Sequence, residues 1–302
     1  MTPRGRASSN AVAILPLVIP LVRRLDLVVL AALTALSGCP EGPDPGQEIR
    51  LDDGHGGALV FGGGGEVRLE REGVALLRIP REGFELGTVP EIEEALNYDP
   101  YYLEDVVQGL YRPQWGLEWQ VPTAAEARRD GDGVSLDLVY DGDAGQGRTA
   151  RVTATVSDQG RFALHWSLPE GVPAAVYARL RLAVDREEHF YGLGEVFDHV
   201  DHRGQIRAMQ IEPAPLESAN NEAHVPIPLL IGTRGWGLFV DSLRPGVFDV
   251  ASEREDLVKV TYGLGEAAGE GLEWHLVAEE HPLDVTRHYY ELTGYPGPVS
   301  YT

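Results

Sequence analysis

The chain has 302 residues, 36 of them glycine and 21 proline, with 43% hydrophobic content. That is enough apolar material for one large domain or two small ones, and the glycine and proline count favours many turns over long helices. Acidic residues outnumber basic ones 47 to 25, the formal charge is −22, and Lys259 is the single lysine, so phosphate backbones are repelled and nucleic acid is not an expected partner.

Residues 1–39 read as a segment outside the fold. Arg23 and Arg24 precede the apolar run Leu27–Leu36, which is short for a membrane span and ends in Leu36-Ser37-Gly38-Cys39. A basic start, a short apolar stretch and small residues before a cut site describe a secretory signal. This one resembles a bacterial lipobox, in which the cysteine takes a lipid. Cys39 is the only cysteine in the chain and stands at that junction. An ordinary signal peptide or an uncleaved helix is the alternative. Removing residues 1–38 takes away four arginines and one aspartate, so the remainder is more acidic still. With no second cysteine, no internal disulfide forms and stability rests on core burial. Residues 40–50 are expected to be a tether, since Pro40–Gln47 is proline, glycine and acid without apolar period.

From residue 51 the pattern is β. Ala58–Phe61 and Val67–Leu69 flank four glycines, Gly62–Gly65, and no helix or Lys-Ser/Thr follows, which makes this a hairpin turn and not a phosphate cradle. The segment from Pro90 to Gly109 reads as an excursion with one or two short helices, followed by Tyr111, Trp115 and Trp119. Aromatics there either peg a long loop to the body or stack on sugar rings, and the peg is the favoured reading. Strict alternation recurs at Val134–Tyr140, Phe162–Leu168 and Val176–Val184, the last with Arg179 and Arg181 facing outward. Asp130-Gly131, Asp141-Gly142 and Gln159-Gly160 mark turns. Further strands are expected at Val247–Val250, Leu257–Val260 and Leu272–Leu276. Residues 281–294 read as a helix, with Pro282 in its first turn, Gly294 as its cap, and Val285, Tyr289 and Leu292 on one face. The fold class is all-β: a large antiparallel β-sandwich with a C-terminal helix.

Between these lies the most distinctive stretch. His189-Phe190-Tyr191-Gly192-Leu193-Gly194-Glu195 is followed by Arg203-Gly204, by the proline-containing strand His224–Leu230, and by Arg234-Gly235-Trp236-Gly237-Leu238-Phe239-Val240-Asp241. Gly192 and Gly194 permit a turn that a side chain would block, and Gly235 and Gly237 are expected to let Trp236 lie against backbone. Glu195 is expected to accept backbone N–H bonds at the turn. In order and spacing these four pieces resemble the N-terminal, galactose-mutarotase-like β-sandwich of family-31 glycoside hydrolases, the α-glucosidase and α-xylosidase family. The resemblance runs from about Leu51 to Gly294, giving a sandwich domain over 51–294 and a linker over 295–302.

The resemblance implies a retaining α-glycosidase whose two catalytic aspartates sit on a (β/α)8 barrel. Such a barrel takes about 200 residues or more, and on this reading the chain stops before it, so no carboxylate here is assigned as nucleophile. It also implies that the loop after the glycine motif leans over the barrel mouth and offers an acid to the sugar. Glu212 stands at that place, where many members have aspartate, and Asn220, Asn221 and His224 can hydrogen-bond sugar hydroxyls. A solvated loop is the competing reading. Asp198-His199-Val200-Asp201-His202 holds ligand types for zinc or calcium, but the family places a polar turn there, and no metal or cofactor is assigned. The implied partners are an α-linked oligosaccharide or glycoside, the barrel, and a membrane reached through the lipid on Cys39 at the cell envelope. Two other functions stay open: a stand-alone glycan-binding surface lipoprotein, and an aldose mutarotase, for which no matching acid–base motif is found.

Overall fold

Many strands form here because apolar and polar residues alternate, so that one face is buried and the other is not. The computed structural model describes residues 48–89, 117–141, 148–168, 175–209, 225–264, 271–295 and 297. The expected signal segment and the Pro90–Gly109 excursion lie outside these residues, as do Tyr111 and Trp115.

The first half runs through β1 (Ile49–Asp52), β2 (Gly57–Phe61), β3 (Val67–Arg71), β4 (Val74–Ile79), β5 (Phe84–Thr88) and β6 (Glu118–Gln120). It continues with β7 (Pro122–Asp130), β8 (Gly133–Tyr140), β9 (Arg148–Val156), β10 (Phe162–Ser167) and β11 (Ala175–Ala183). Then come β12 (Phe190–Glu195), β13 (Gln205–Met209), β14 (Val225–Gly232), β15 (Trp236–Asp241), β16 (Gly246–Val250), β17 (Leu257–Gly263) and β18 (Leu272–Ala278). One helix closes the described chain, α1 (Val285–Thr293), entered through a 3-10 turn at Pro282–Asp284.

The strands make two antiparallel sheets. One has the order β1-β2-β3-β4-β11-β17-β16-β13, with β5 and β6 added beside β11; the other is β12-β14-β15-β18-β10-β9-β8-β7. Their inner faces meet in one core, where Leu136, Leu164, Trp166, Leu180, Leu238, Phe248, Val260 and Trp274 are fully buried. Trp166 meets Trp274 and Phe84 edge-on, at 6.5 and 5.6 Å between centroids. Burying an aliphatic or Phe side chain stabilises by about 1.5–3 kcal/mol, and with no disulfide this core carries the fold.

The hairpin at Gly62–Gly65 and the alternating strands agree with their expectations. Strand β1 begins at Ile49, inside the range 40–50 expected for the tether, and residues 40–47 lie outside the described residues. Strand β7 has a composition, Ala124-Ala125-Glu126-Ala127-Arg128-Arg129, that suits a helix. It is an edge strand paired to β8 alone, with Ala125 and Ala127 turned to the core and Glu126, Arg128 and Arg129 outside. Charges on an exposed edge deter pairing with other chains. Trp119 is a peg: it covers Arg179 at 3.7 Å and lies beside Tyr177. Arg179 and Arg181 do leave the core, but both reach the buried Glu85, at 3.5 and 2.9 Å.

Helix α1 lies where expected. Gly294 caps it through an N–H bond to the Tyr290 carbonyl, 2.8 Å, and Val285 and Tyr289 pack on Leu229, Ile231 and Phe239. His288 is also buried, held to Glu279 at 2.5 Å. No helix among the described residues is long and apolar enough to cross a membrane.

Candidate functional site

The glycine motif builds a bulge. Strand β12 pairs with β14 from Phe190↔Gly232 to Glu195↔Val225, and the register slips between Gly192 and Gly194. Gly192, Leu193 and Gly194 take φ of 105°, 59° and 92° in succession. A Cβ at Gly192 would stand 2.1 Å from the Leu229 carbonyl oxygen, and one at Gly194 would stand 1.9 Å from that of Val225. Only glycine fits at either position. Leu193 tolerates the left-handed conformation because its side chain is fully buried. The bulge bends β12 and aims the loop that follows it.

That loop returns through a buried polar network. Arg207, on β13 with 1% of its surface exposed, grips Asp198 with both terminal nitrogens at 2.9 Å. Its Nε–H donates to His202 Nδ1 at 3.2 Å, and His202 Nε2–H donates to the Gly192 carbonyl at 2.8 Å. A guanidinium only donates and a carbonyl only accepts, so His202 is neutral with its proton on Nε2. Burial lowers its pKa in the same sense, and Arg207 adds to the effect. Burial pushes the Asp198 carboxyl up, but the bonds from Arg207 and the His199 N–H outweigh it and hold it below its ordinary value.

Asp201 accepts from the Phe190 and Arg203 N–H groups at 3.1 and 3.0 Å and meets His189 Nδ1 at 2.5 Å. These bonds likewise overcome burial and keep its carboxyl low. Arg203 donates to the carbonyls of Glu188 and Glu255, both at 2.8 Å, and to that of Arg186. Asp198, Asp201 and His202 therefore face separate partners and not one common point.

Two expectations are corrected here. Glu195 is exposed at the end of β12, and among the described residues no N–H donates to its carboxylate. The buried acceptor is Glu188, 2% exposed, whose Oε1 takes the Arg234 N–H at 3.1 Å; burial raises its pKa. The glycine that gives Trp236 its room is Gly232, where a Cβ would stand 2.3 Å from the indole nitrogen. Gly235 instead crosses the Glu279 carbonyl and Gly237 seats Val285 of α1.

Sequence reasoning missed the Arg207 network. Its one signal was an arginine at an inward position of the otherwise apolar Ile206-Arg207-Ala208-Met209.

Glu212, Asn220, Asn221 and His224 lie outside the described residues, as does Cys39. The structure does place the two strands that bracket the first four. β13 ends at Met209 on an edge of the first sheet, and β14 begins at Val225 beside the edge strand of the second. Met209 and Val225, the described residues on either side of segment 210–224, thus belong to different sheets.

Residues 130–249 match the family model described as the glycosyl hydrolase 31 N-terminal galactose mutarotase-like domain. The chain is 29% identical over 118 residues to the alpha-xylosidase XylQ of Lactiplantibacillus pentosus, covering 39% of this chain and 15% of that protein. It is 27% identical over 109 residues to an isomaltosyltransferase of Sporosarcina globispora, covering 36% and 10%. A family-31 sulfoquinovosidase from E. rectale superposes with a TM-score of 0.48 at 14% identity, over 76% of this chain and 33% of that one. The chain thus spans a small part of the curated relatives it matches.

Proposed function

We propose that this chain supplies the N-terminal sandwich of a family-31 enzyme acting on α-linked glycosides. Segment 210–224 meets the sugar, and catalysis belongs to a (β/α)8 barrel, which the described residues do not contain. The reading is carried by the match of residues 130–249, which takes in the glycine bulge and the Arg207 network. Relatives named as an alpha-xylosidase and an isomaltosyltransferase point to α-linked saccharides as the substrate class.

The chemistry agrees with this division of labour. A retaining glycosidase needs two carboxyl groups about 5–5.5 Å apart around the scissile bond, and Glu188, Asp198 and Asp201 at the bulge end are tied up in ion pairs and backbone bonds. What the sandwich offers is rigidity: a loop held at both ends by paired strands positions a side chain far better than a free one. Glu212 is the acid that reaches the sugar, with Asn220, Asn221 and His224 as hydrogen-bonding neighbours. At the other end of the chain, Cys39 carries lipid and holds the domain at the cell envelope.

Incubated with aryl α-glucosides and α-xylosides, the 302-residue chain is expected to show no turnover above background. Turnover abolished by one Asp or Glu substitution would overturn the proposal. In an enzyme that joins this sandwich to a barrel, Glu212→Ala should raise the barrier by about 1–3 kcal/mol. An unchanged kcat/KM returns Glu212 to the solvent. Cys39→Ser should move the protein from the membrane to the soluble fraction, and unchanged fractionation rules out the anchor.

A further inference from the structure

We propose that Asp241, Glu273 and His275 form a binding site for a divalent transition-metal ion of the zinc class, on the outer face of the second sheet.

The placement follows from register. β15 and β18 pair with Asp241 opposite Glu273 and Phe239 opposite His275, while Val240 and Trp274 between them point into the core. The two-residue period therefore brings three ligand types to one outer patch. Their donor atoms all lie within 4.8 Å of one another.

The second observation is His275 itself. It is 7% exposed, with its ring stacked on Phe239 at 5.9 Å and 18°. Among the described residues neither ring nitrogen has a hydrogen-bond partner. Nε2 stands 3.7 Å from Glu273 Oε1, aimed at the carboxylate yet beyond a hydrogen bond. A buried imidazole with both nitrogens idle is uncommon in a folded protein, and a metal bond would satisfy one of them.

The neutral imidazole is the form that binds metal. Asp241 and Glu273 are exposed, which gives an ion a path in from solvent. A tetrahedral zinc with bonds of about 2.0–2.2 Å sets its donors roughly 3.4 Å apart. The two exposed carboxylates need close in by only about an ångström to reach that spacing. One nitrogen and two carboxylates suit zinc better than calcium, which prefers six to eight oxygens. Water can take the remaining positions.

Occupancy would tie β15 to β18 beneath α1, because Phe239 also meets Tyr289 of that helix edge-on at 5.3 Å.

The test is a calorimetric titration of the full chain with Zn2+, in a Cys39→Ser background so that the one thiol does not compete. Co2+ serves as a parallel spectroscopic probe. One saturable equivalent is expected, with visible cobalt absorption and a raised Tm. Asp241→Asn with Glu273→Gln removes exposed groups and should leave the fold intact while weakening binding by at least about tenfold. Equal uptake by the parent and this double variant would mean scattered binding to an acidic surface and would overturn the site. A calcium-selective equivalent lost in the same variant would overturn the zinc class. His275→Gln should abolish the cobalt bands. Should that variant fail to fold, the imidazole 15N shifts of His275 on adding Zn2+ decide: movement supports ligation, and none overturns it.

Discussion

His202 and His275 are both buried, 2% and 7% exposed, and both have their pKa lowered first of all by burial. They differ in what their nitrogens do. His202 donates one hydrogen bond to the Gly192 carbonyl and accepts one from Arg207, so its ring is a fixed strut between the bulge and β13. His275 does neither. A satisfied buried ring explains itself by the structure it holds. An unsatisfied one costs stability, and such positions are where folds keep binding or chemical roles.

The comparison breaks most severely at the frame of the first region. Gly194→Ala drives a Cβ into the Val225 carbonyl at a φ of 92°. It should cost about 3–4 kcal/mol in equilibrium unfolding by urea. A loss below about 1 kcal/mol would mean that β12 can flatten its bulge and that the strut is dispensable.

Asp198→Asn should cost less, about 1–2 kcal/mol, because it leaves Arg207 buried beside a neutral amide. The Asp198 side chain is 41% exposed, and solvent screening keeps the effect at the low end. Asp241→Asn in the second region should leave metal-free stability within about 0.5 kcal/mol. Equal losses at the two positions would erase the distinction between a strut and a ligand set.

The smallest effect is with pH. A histidine whose folded pKa is depressed takes up a proton more readily when unfolded, so stability rises with pH between the folded and unfolded values. The contributions of His202 and His275 are thus fully present above the ordinary value of 6.5 and are lost as pH falls below it. Glu188, held high by burial, acts with the opposite sign, and Glu188→Gln removes that opposing contribution. In that background His275→Gln should remove part of the slope and leave the share of His202. A flat profile before the second substitution would contradict both shifts.

Much of the fold was legible because a strand writes its buried face into the chain every second residue. Val134–Tyr140, Phe162–Leu168 and Val176–Val184 needed nothing more, and the helix after Pro282 announced itself by proline, cap and apolar face. β7 was not legible, since alanine on its inner side hides the same alternation behind helix-forming residues. The glycine motif pointed to a turn, which the structure shows as a bulge, yet its acid was assigned to Glu195 when the buried acceptor is Glu188. Which carboxylate is buried depends on where the chain lies after the bend, and a bend moves every later residue.

By itself the sequence determined the class of fold, the positions of most strands and turns, and the most distinctive stretch of the sandwich. Those features depend on each residue and its near neighbours: period, propensity and the steric freedom of glycine. Only the tertiary structure decided which polar groups meet. Asp241 and Glu273 face each other because β15 and β18 pair in one register, and a slip of one residue would turn Glu273 and His275 into the core. Arg207 finds Asp198 because the bulge folds the loop back over β13. Register and bend are set by packing the whole sandwich at once, which no local pattern records.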